Sequence, residues 1–319
     1  MKKKALYITL LTIVLNATIF AQEKSFILKN FTQEEGLPSN ETYFVYEDSD
    51  YYLWFATDKG VVRFDGKNIQ HFDLPDNVVF KIYEDKKGRI WFFSYSGRMA
   101  YFYKNKIFPY KFNEQIYRTI GGVGINDAYI DDQDNITIIT KSQFDFYITN
   151  TGKVINESVI DSNYSDYFIR VSIKKIKEGY FSSYKKIFSS SKSDNVNIVF
   201  EADEKNRKFN INIPGINKVF NNVDGCKMID DNNVLLFYKN FLIKLNINGT
   251  YTFKKMDADI VCLEIYQGNV FVGMYNHGVK VVDSSLNFLY SIRNLRNYTV
   301  SAVKTDFEGG IWFCTTEKG

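Results

Sequence analysis

One phrase recurs along the chain and restricts the fold more than any other feature. An acidic strand end leads into a short turn, a Trp-centred apolar strand, a Gly and then a basic–aromatic strand. Its first copy is Glu47-Asp48-Ser49-Asp50-Tyr51-Tyr52-Leu53-Trp54-Phe55-Ala56-Thr57-Asp58-Lys59-Gly60-Val61-Val62-Arg63-Phe64-Asp65-Gly66. It returns as Glu84-Asp85-Lys86-Lys87-Gly88-Arg89-Ile90-Trp91-Phe92-Phe93, and again as Asp306-Phe307-Glu308-Gly309-Gly310-Ile311-Trp312-Phe313-Cys314-Thr315-Thr316-Glu317-Lys318-Gly319. A unit of about forty residues holding several short strands predicts an all-β fold, the β-propeller.

The first unit parses strand by strand. Residues 42–48 alternate and predict an inner strand, and residues 53–57 predict a short strand buried on both faces. Residues 61–64 follow, Asp65-Gly66 supplies a turn in which Gly accepts a positive φ, and residues 68–72 form the outer strand. Taking the middle of each second strand as a marker, the units centre on Trp54, Trp91, Thr137, Phe181, Leu235, Phe271 and Trp312, spaced 36 to 54 residues apart. The reading is about seven four-stranded blades near residues 39–72, 76–110, 123–160, 166–201, 216–254, 257–292 and 298–319, the last incomplete. Residues 26–31 predict an orphan strand that docks as the outer strand of the last blade. Beyond residue 25 no stretch sustains a helical apolar period with caps, so no helix is expected. Trp54, Trp91 and Trp312 are read as structural repeat residues that fill the wedges between blades.

The composition agrees: 28 Phe and 23 Tyr against 4 Pro favour pleated, half-buried surfaces. Formal net charge is +3, and Lys2, Lys3 and Lys4 account for the excess, so the body of the chain is neutral. A neutral body offers no global attraction for phosphate backbones, so direct nucleic-acid contact is not expected. Those lysines precede an apolar stretch to Phe20, with Ala21-Gln22 as a cleavage point, so residues 1–22 read as a secretory signal peptide and residues 23–319 as the propeller. The alternative is an uncleaved membrane anchor. Cys226, Cys262 and Cys314 are an odd, widely spaced trio, which is neither a disulfide framework nor a zinc site.

Gly36-Leu37-Pro38-Ser39-Asn40, followed by an inner strand, Asp48, Leu53-Trp54-Phe55-Ala56-Thr57 and Gly60-Val61-Val62-Arg63-Phe64-Asp65-Gly66, resembles the two-component regulator propeller family. Ala56, Phe93 and Cys314 stand where that family usually has Gly, and Arg98-Met99 replaces its Gly-Leu. The resemblance implies the sensor region of a bacterial histidine kinase or hybrid sensor, periplasmic, as the extracytoplasmic part of an inner-membrane protein. It implies that this chain is an N-terminal piece, and that the membrane helix, the effector and a homodimer contact belong to a missing C-terminal region.

Chemistry is poorly supplied. Asp85 to Trp91 looks like a sialidase Asp-box, but the spacing is one residue too long and the leading Ser is absent. Only His71 and His277 are present, without ligand spacing around them, so no catalytic residue, metal or cofactor is expected. Ligands of propellers often sit where the loops joining second and third strands meet the blade crossings. The candidates there are Asp58, Tyr95, Tyr275, Asn276 and His277, the last three offering stacking and hydrogen bonds to a small molecule or oligosaccharide. Other tips are residues 141–143 and Glu317-Lys318. Three functions stay open: a periplasmic sensor module, a secreted scaffold that binds protein partners, and a propeller glycan lyase or hydrolase.

Overall fold

The computed structural model describes residues 28–120, 125–140, 145–157, 168–176, 179–187, 196–202, 205–211, 224–230, 232–246 and 248–318. The leader 1–22, Phe26 and Ile27 of the expected orphan strand, and the 141–143 tip lie outside them.

Each sheet is built from consecutive segments. The first is β1 (Thr42–Glu47), β2 (Leu53–Thr57), β3 (Gly60–Phe64) and β4 (Ile69–Phe72). The second is β5 (Val79–Glu84), β6 (Ile90–Ser94), β7 (Met99–Tyr103) and β8 (Lys106–Pro109). The third is β9 (Ile125–Ile130), β10 (Ile136–Thr140), β11 (Asp145–Ile148) and β12 (Val154–Glu157). The fourth is β13 (Phe168–Ile176), β14 (Gly179–Ile187), β15 (Val196–Ala202) and β16 (Lys205–Ile211). The fifth is β17 (Gly225–Asp230), β18 (Asn233–Tyr238), β19 (Phe241–Asn246) and β20 (Tyr251–Lys255). The sixth is β21 (Ile260–Tyr266), β22 (Asn269–Met274), β23 (Gly278–Asp283) and β24 (Phe288–Ser291), and the seventh is only β25 (Val300–Thr305) and β26 (Ile311–Thr315). The first strand packs on that of the next sheet from β1 to β5 to β9 and from β17 to β21 to β25, and β1 packs on β25. The sheets therefore follow one another around a ring, a β-propeller, in which the seventh sheet meets the first.

The ring is held by its second strands. Every residue of β2 and of β6 is buried, because each strand is covered on both faces by neighbouring sheets. Trp54, 0% exposed, packs on Phe92 and Phe102 of the second sheet, and Trp312 packs on Phe55 and Phe64 of the first. The seventh sheet thus precedes the first around the ring. A fully buried indole removes 150–250 Å² from water, a gross gain of roughly 4–6 kcal/mol. The seam between last and first sheets is closed by hydrogen bonds as well. Thr42 Oγ1 donates to the Thr315 carbonyl at 3.1 Å and accepts from the Thr315 N–H at 3.2 Å. Ser301 Oγ donates to the Thr42 carbonyl at 2.6 Å, and the Phe307 N–H donates to Glu47 at 2.9 Å.

The structure corrects three expectations. The fourth sheet is not an up-and-down meander: its order is β14-β13-β15-β16, and β13 runs parallel to β15. That puts β14 at the axis, where it packs on β17. β13 and β14 are nine residues each and pair over their whole length, so their hairpin occupies the inner half of the sheet. Second, an α-helix, α1 (Asn113–Ile120), lies between the second and third sheets. At eight residues it is too short to display a period, and tertiary contacts hold it. Asn113 accepts from the Met99 N–H and donates to the Met99 carbonyl, both at 2.8 Å, and Ile116 is fully buried. Third, residues 28–31 are not in a strand. The Phe31 ring lies 5.3 Å from both Phe64 and Trp312, and Thr32 then caps a 3-10 turn at Gln33–Glu35.

Candidate ligand face

The tips joining second and third strands are tied to the blade crossings by backbone bonds. The Gly60 N–H donates to the Asn77 carbonyl at 2.8 Å, that of Tyr95 to Val78 at 2.8 Å, and that of Tyr275 to Asp259 at 2.9 Å. These tips and crossings form one face, and a repeated backbone defect shapes it. Five first strands carry a register shift near their start, which leaves Tyr43, Phe80, Asn126, Val261 and Ser301 as the extra residues. A β-bulge bends its strand and re-aims a side chain. In the first two sheets the re-aimed residues are aromatic and meet. Tyr43 and Phe80 stack with centroids 4.5 Å apart and planes at 16°, and Phe80 meets Tyr95 at 5.6 Å. Tyr95 is 52% exposed, so a three-ring ladder spans two blades and ends in solvent.

Carboxylates flank the ladder. The Tyr43 hydroxyl donates to Glu41 Oε2 at 2.7 Å, which fixes the ring. Burial, then the Glu41 carboxylate and the charge of Asp58, push the Tyr43 phenol well above its ordinary value. Asp58 Oδ1 is buried and has no hydrogen-bond partner among the described residues. The arrangement supplies flat aromatic surface beside acceptor oxygens, suited to a ring-bearing ligand with hydroxyl or amine donors.

The five sequence candidates therefore fall into two groups. Asp58 and Tyr95 join a cluster that also contains Tyr43, Phe80 and Glu41, which sequence reading missed. Tyr275, Asn276 and His277 sit together on the sixth sheet. Tyr275 is 59% exposed, and His277 Nδ1 lies 3.3 Å from the Tyr275 carbonyl. Asn276 has φ +51° and is committed to structure: its N–H donates to Thr299 Oγ1 at 3.1 Å, and that hydroxyl donates to Asn276 Oδ1 at 2.8 Å. Among the described residues no group of three or more His, Cys, Asp or Glu side chains is placed to hold a metal ion, and no helix is long and apolar enough to cross a membrane. No disulfide joins Cys226, Cys262 and Cys314 among the described residues, and burial pushes the Cys262 and Cys314 thiols up to about 12.

The fold defines the class, a β-propeller. Residues 36–59 and 73–96 match the family described as two component regulator propeller. Among solved structures it is similar to the extracellular domain of a protein described as a hybrid two component system from B. thetaiotaomicron, at 19% identity and TM-score 0.64. That match covers 91% of this chain and 40% of the other, so the chain spans less than half of that domain. A second extracellular domain from the same organism matches at 14% identity and TM-score 0.55, covering 91% of this chain and 43% of the other. Virginiamycin B lyase from Staphylococcus aureus matches at 13% identity and TM-score 0.61, covering 92% and 97%. At these identities the likeness is one of fold. No curated protein matches the chain.

Proposed function

We propose that this chain is the ligand-binding propeller of a membrane-bound two-component histidine kinase or hybrid sensor, held in the periplasm. One observation carries the reading: a β-propeller whose first two blades match two-component regulator repeats. The likeness to extracellular sensor domains supports the same placement. The segment itself binds and does no chemistry. Its ligand, a small molecule or an oligosaccharide, stacks on Tyr43, Phe80 and Tyr95 and donates hydrogen bonds to Glu41 and Asp58. Preferential binding to one of two arrangements of the parent receptor, a homodimer, biases its cytoplasmic effector.

The test is a transcriptional reporter driven by the full-length receptor and challenged with a panel of oligosaccharides. A response that is lost in Tyr95→Ala while receptor level stays constant supports the reading. A response indifferent to the ladder places the ligand elsewhere. Incubating the purified chain with the inducing glycan separates sensor from lyase: the glycan is recovered intact from a sensor.

A further inference from the structure

We propose that Tyr51 and Phe307, on the face opposite the tips, form a docking platform for an arginine-bearing surface of another protein. The two rings come from the first and seventh sheets and meet with centroids 4.4 Å apart and planes at 44°. At 61% and 71% they are the most exposed large hydrophobic side chains among the described residues. Tyr51 is exposed although its own sheet has all four strands. It also has φ +66°, at the turn position where Gly88, Asp134 and Gly309 stand in the second, third and seventh sheets. A bulky residue is costly in the left-handed region, so the turn itself does not call for a tyrosine. Hydrogen bonds hold both turns in shape. The Ser49 N–H donates to Glu84 at 2.7 Å, that of Tyr51 to the Asp48 carbonyl at 3.0 Å, and that of Phe307 to Glu47 at 2.9 Å. A platform fixed in this way loses little freedom on binding.

The charge around the rings specifies the partner. Asp50 and Glu308 are the exposed chain neighbours of the two rings, and neither carboxylate has an ion pair or hydrogen bond among the described residues. In the matching turns of the second and third sheets, Asp132 and Asp134 are instead paired with Lys86, Lys87 and Arg89. Aromatic rings beside these turns carry a guanidinium of their own: Arg63 lies 4.5 Å from the Tyr52 ring and Arg89 5.1 Å from that of Trp91. No cation covers Tyr51 or Phe307 among the described residues. Flat rings flanked by unpaired carboxylates fit a guanidinium, whose plane stacks while its N–H groups reach the acids. The same carboxylates repel lipid phosphates and nucleic acid. A second copy fits poorly. The exposed Arg118, Arg293 and Arg296 lie on crossings at the opposite face, so a self-contact would run head to tail instead of forming the self-complementary pair of a dimer. The occupant is therefore a different polypeptide.

The test titrates the purified chain with a short arginine-rich peptide, and with versions that carry lysine or glutamate in place of arginine. The expected result is saturable binding of the arginine peptide, about fivefold weaker binding of the lysine peptide and none of the glutamate peptide. Tyr51→Gly, Phe307→Ala, and Asp50→Asn combined with Glu308→Gln should each weaken the arginine peptide at least ~5-fold. Glycine suits the left-handed turn, so Tyr51→Gly should melt at or above the wild-type temperature, which separates a lost contact from a lost fold. Absence of binding, equal binding of the lysine or glutamate peptide, or binding that these substitutions leave unchanged would overturn the proposal. So would self-association that rises with protein concentration and disappears in Tyr51→Gly, since the occupant would then be a second copy.

Discussion

The indole nitrogen of Trp54 donates a 2.7 Å hydrogen bond to Oδ2 of Asp48, six residues upstream. Oδ1 of the same carboxylate accepts the N–H groups of Asp50 at 3.0 Å and Tyr52 at 2.9 Å. One side chain thus builds the turn between first and second strands and anchors the wedge residue. Asp85 with Trp91 and Asp306 with Trp312 repeat the arrangement at 2.8 and 2.7 Å. Asp48→Ala leaves a buried indole donor and two turn N–H groups without their acceptor, so the expected loss is about 3 kcal/mol. Urea unfolding checks it, with exposed Asp50→Ala as a control that stays within about 0.5 kcal/mol of wild type.

The ring closes where Thr42 exchanges two hydrogen bonds with Thr315, and Thr42 is only 1% exposed. Thr42→Val keeps the shape and removes both bonds, stranding a carbonyl and an N–H in a dry seam. The expected cost is about 1–3 kcal/mol. Amide exchange then accelerates first across β25 and β26, the sheet that the seam holds to β1. Ser301→Ala acts on the same seam, so its effect with Thr42→Val is expected to be non-additive.

The second and third sheets are joined on the opposite face by charge. Lys87 donates to Asp134 at 2.7 Å, Lys86 to Asp132 at 2.8 Å, and Arg89 bridges Asp85 and Asp134. Burial alone raises the Asp134 carboxyl, but hydrogen bonds and charge from Lys87 and Arg89 outweigh it and hold the group below its ordinary 3.8. A depressed folded value means that the link stabilises above the unfolded pKa and is lost as pH falls through the folded one. The stability gap between wild type and Asp134→Asn is therefore constant above pH ~5 and closes on acidification. Exposure keeps the gap below about 1 kcal/mol, and high salt narrows it further.

Gly273 stands at the β22 position that Ala56, Phe93 and Cys314 occupy in β2, β6 and β26. A Cβ there would lie 2.4 Å from Cys262 Sγ and 3.1 Å from the Val300 carbonyl, between the sixth and seventh sheets. Gly273→Ala is expected to cost about 1–3 kcal/mol through overpacking. Cys262→Ala in the same chain removes the closest clash and restores part of the loss, a coupling that a double-mutant cycle measures.

Much of this architecture is readable in the residues because its anchors are large and local. The indoles of Trp54, Trp91 and Trp312, each with an Asp six positions before it, mark the second strands in plain text. The fourth sheet has no such phrase, and strand order is a long-range pairing choice that alternation alone leaves open. α1 escaped because Asn113 and Ile116 hold it by tertiary contacts. The aromatic ladder escaped for a different reason. A bulge is a property of register, and strict alternation reads Tyr43 and Phe80 as ordinary inner-strand positions. A spacing signal was nonetheless present: Tyr43, Phe80 and Ser301 each stand eleven residues before the Trp of their sheet. Asp58 and Tyr95 were singled out as tip residues, but nothing in their local sequence tells that two inner-strand aromatics stand beside them.

The two groups of exposed candidates make opposed predictions for ligand recognition. Tyr95 is the solvent end of a ladder fixed through Phe80 and Tyr43, whose hydroxyl is held by Glu41. Tyr275 has its backbone tied to Asp259, but no ring stacks on it among the described residues. A pre-stacked ring loses less rotamer freedom on binding, so the ladder is the stronger platform. Removing one stacking aromatic is expected to cost 1–3 kcal/mol of binding, or about 5- to 150-fold in affinity. Tyr95→Ala should lose that much, with the melting temperature almost unchanged because the ring is largely exposed. Phe80→Ala should lose as much or more, with some stability. Tyr275→Ala combined with His277→Ala should stay within threefold of wild type. Titration calorimetry with the inducing ligand decides it. If the paired Tyr275 and His277 changes abolish binding and Tyr95→Ala does not, recognition belongs to the sixth sheet, and the ladder is reduced to packing between the first two blades.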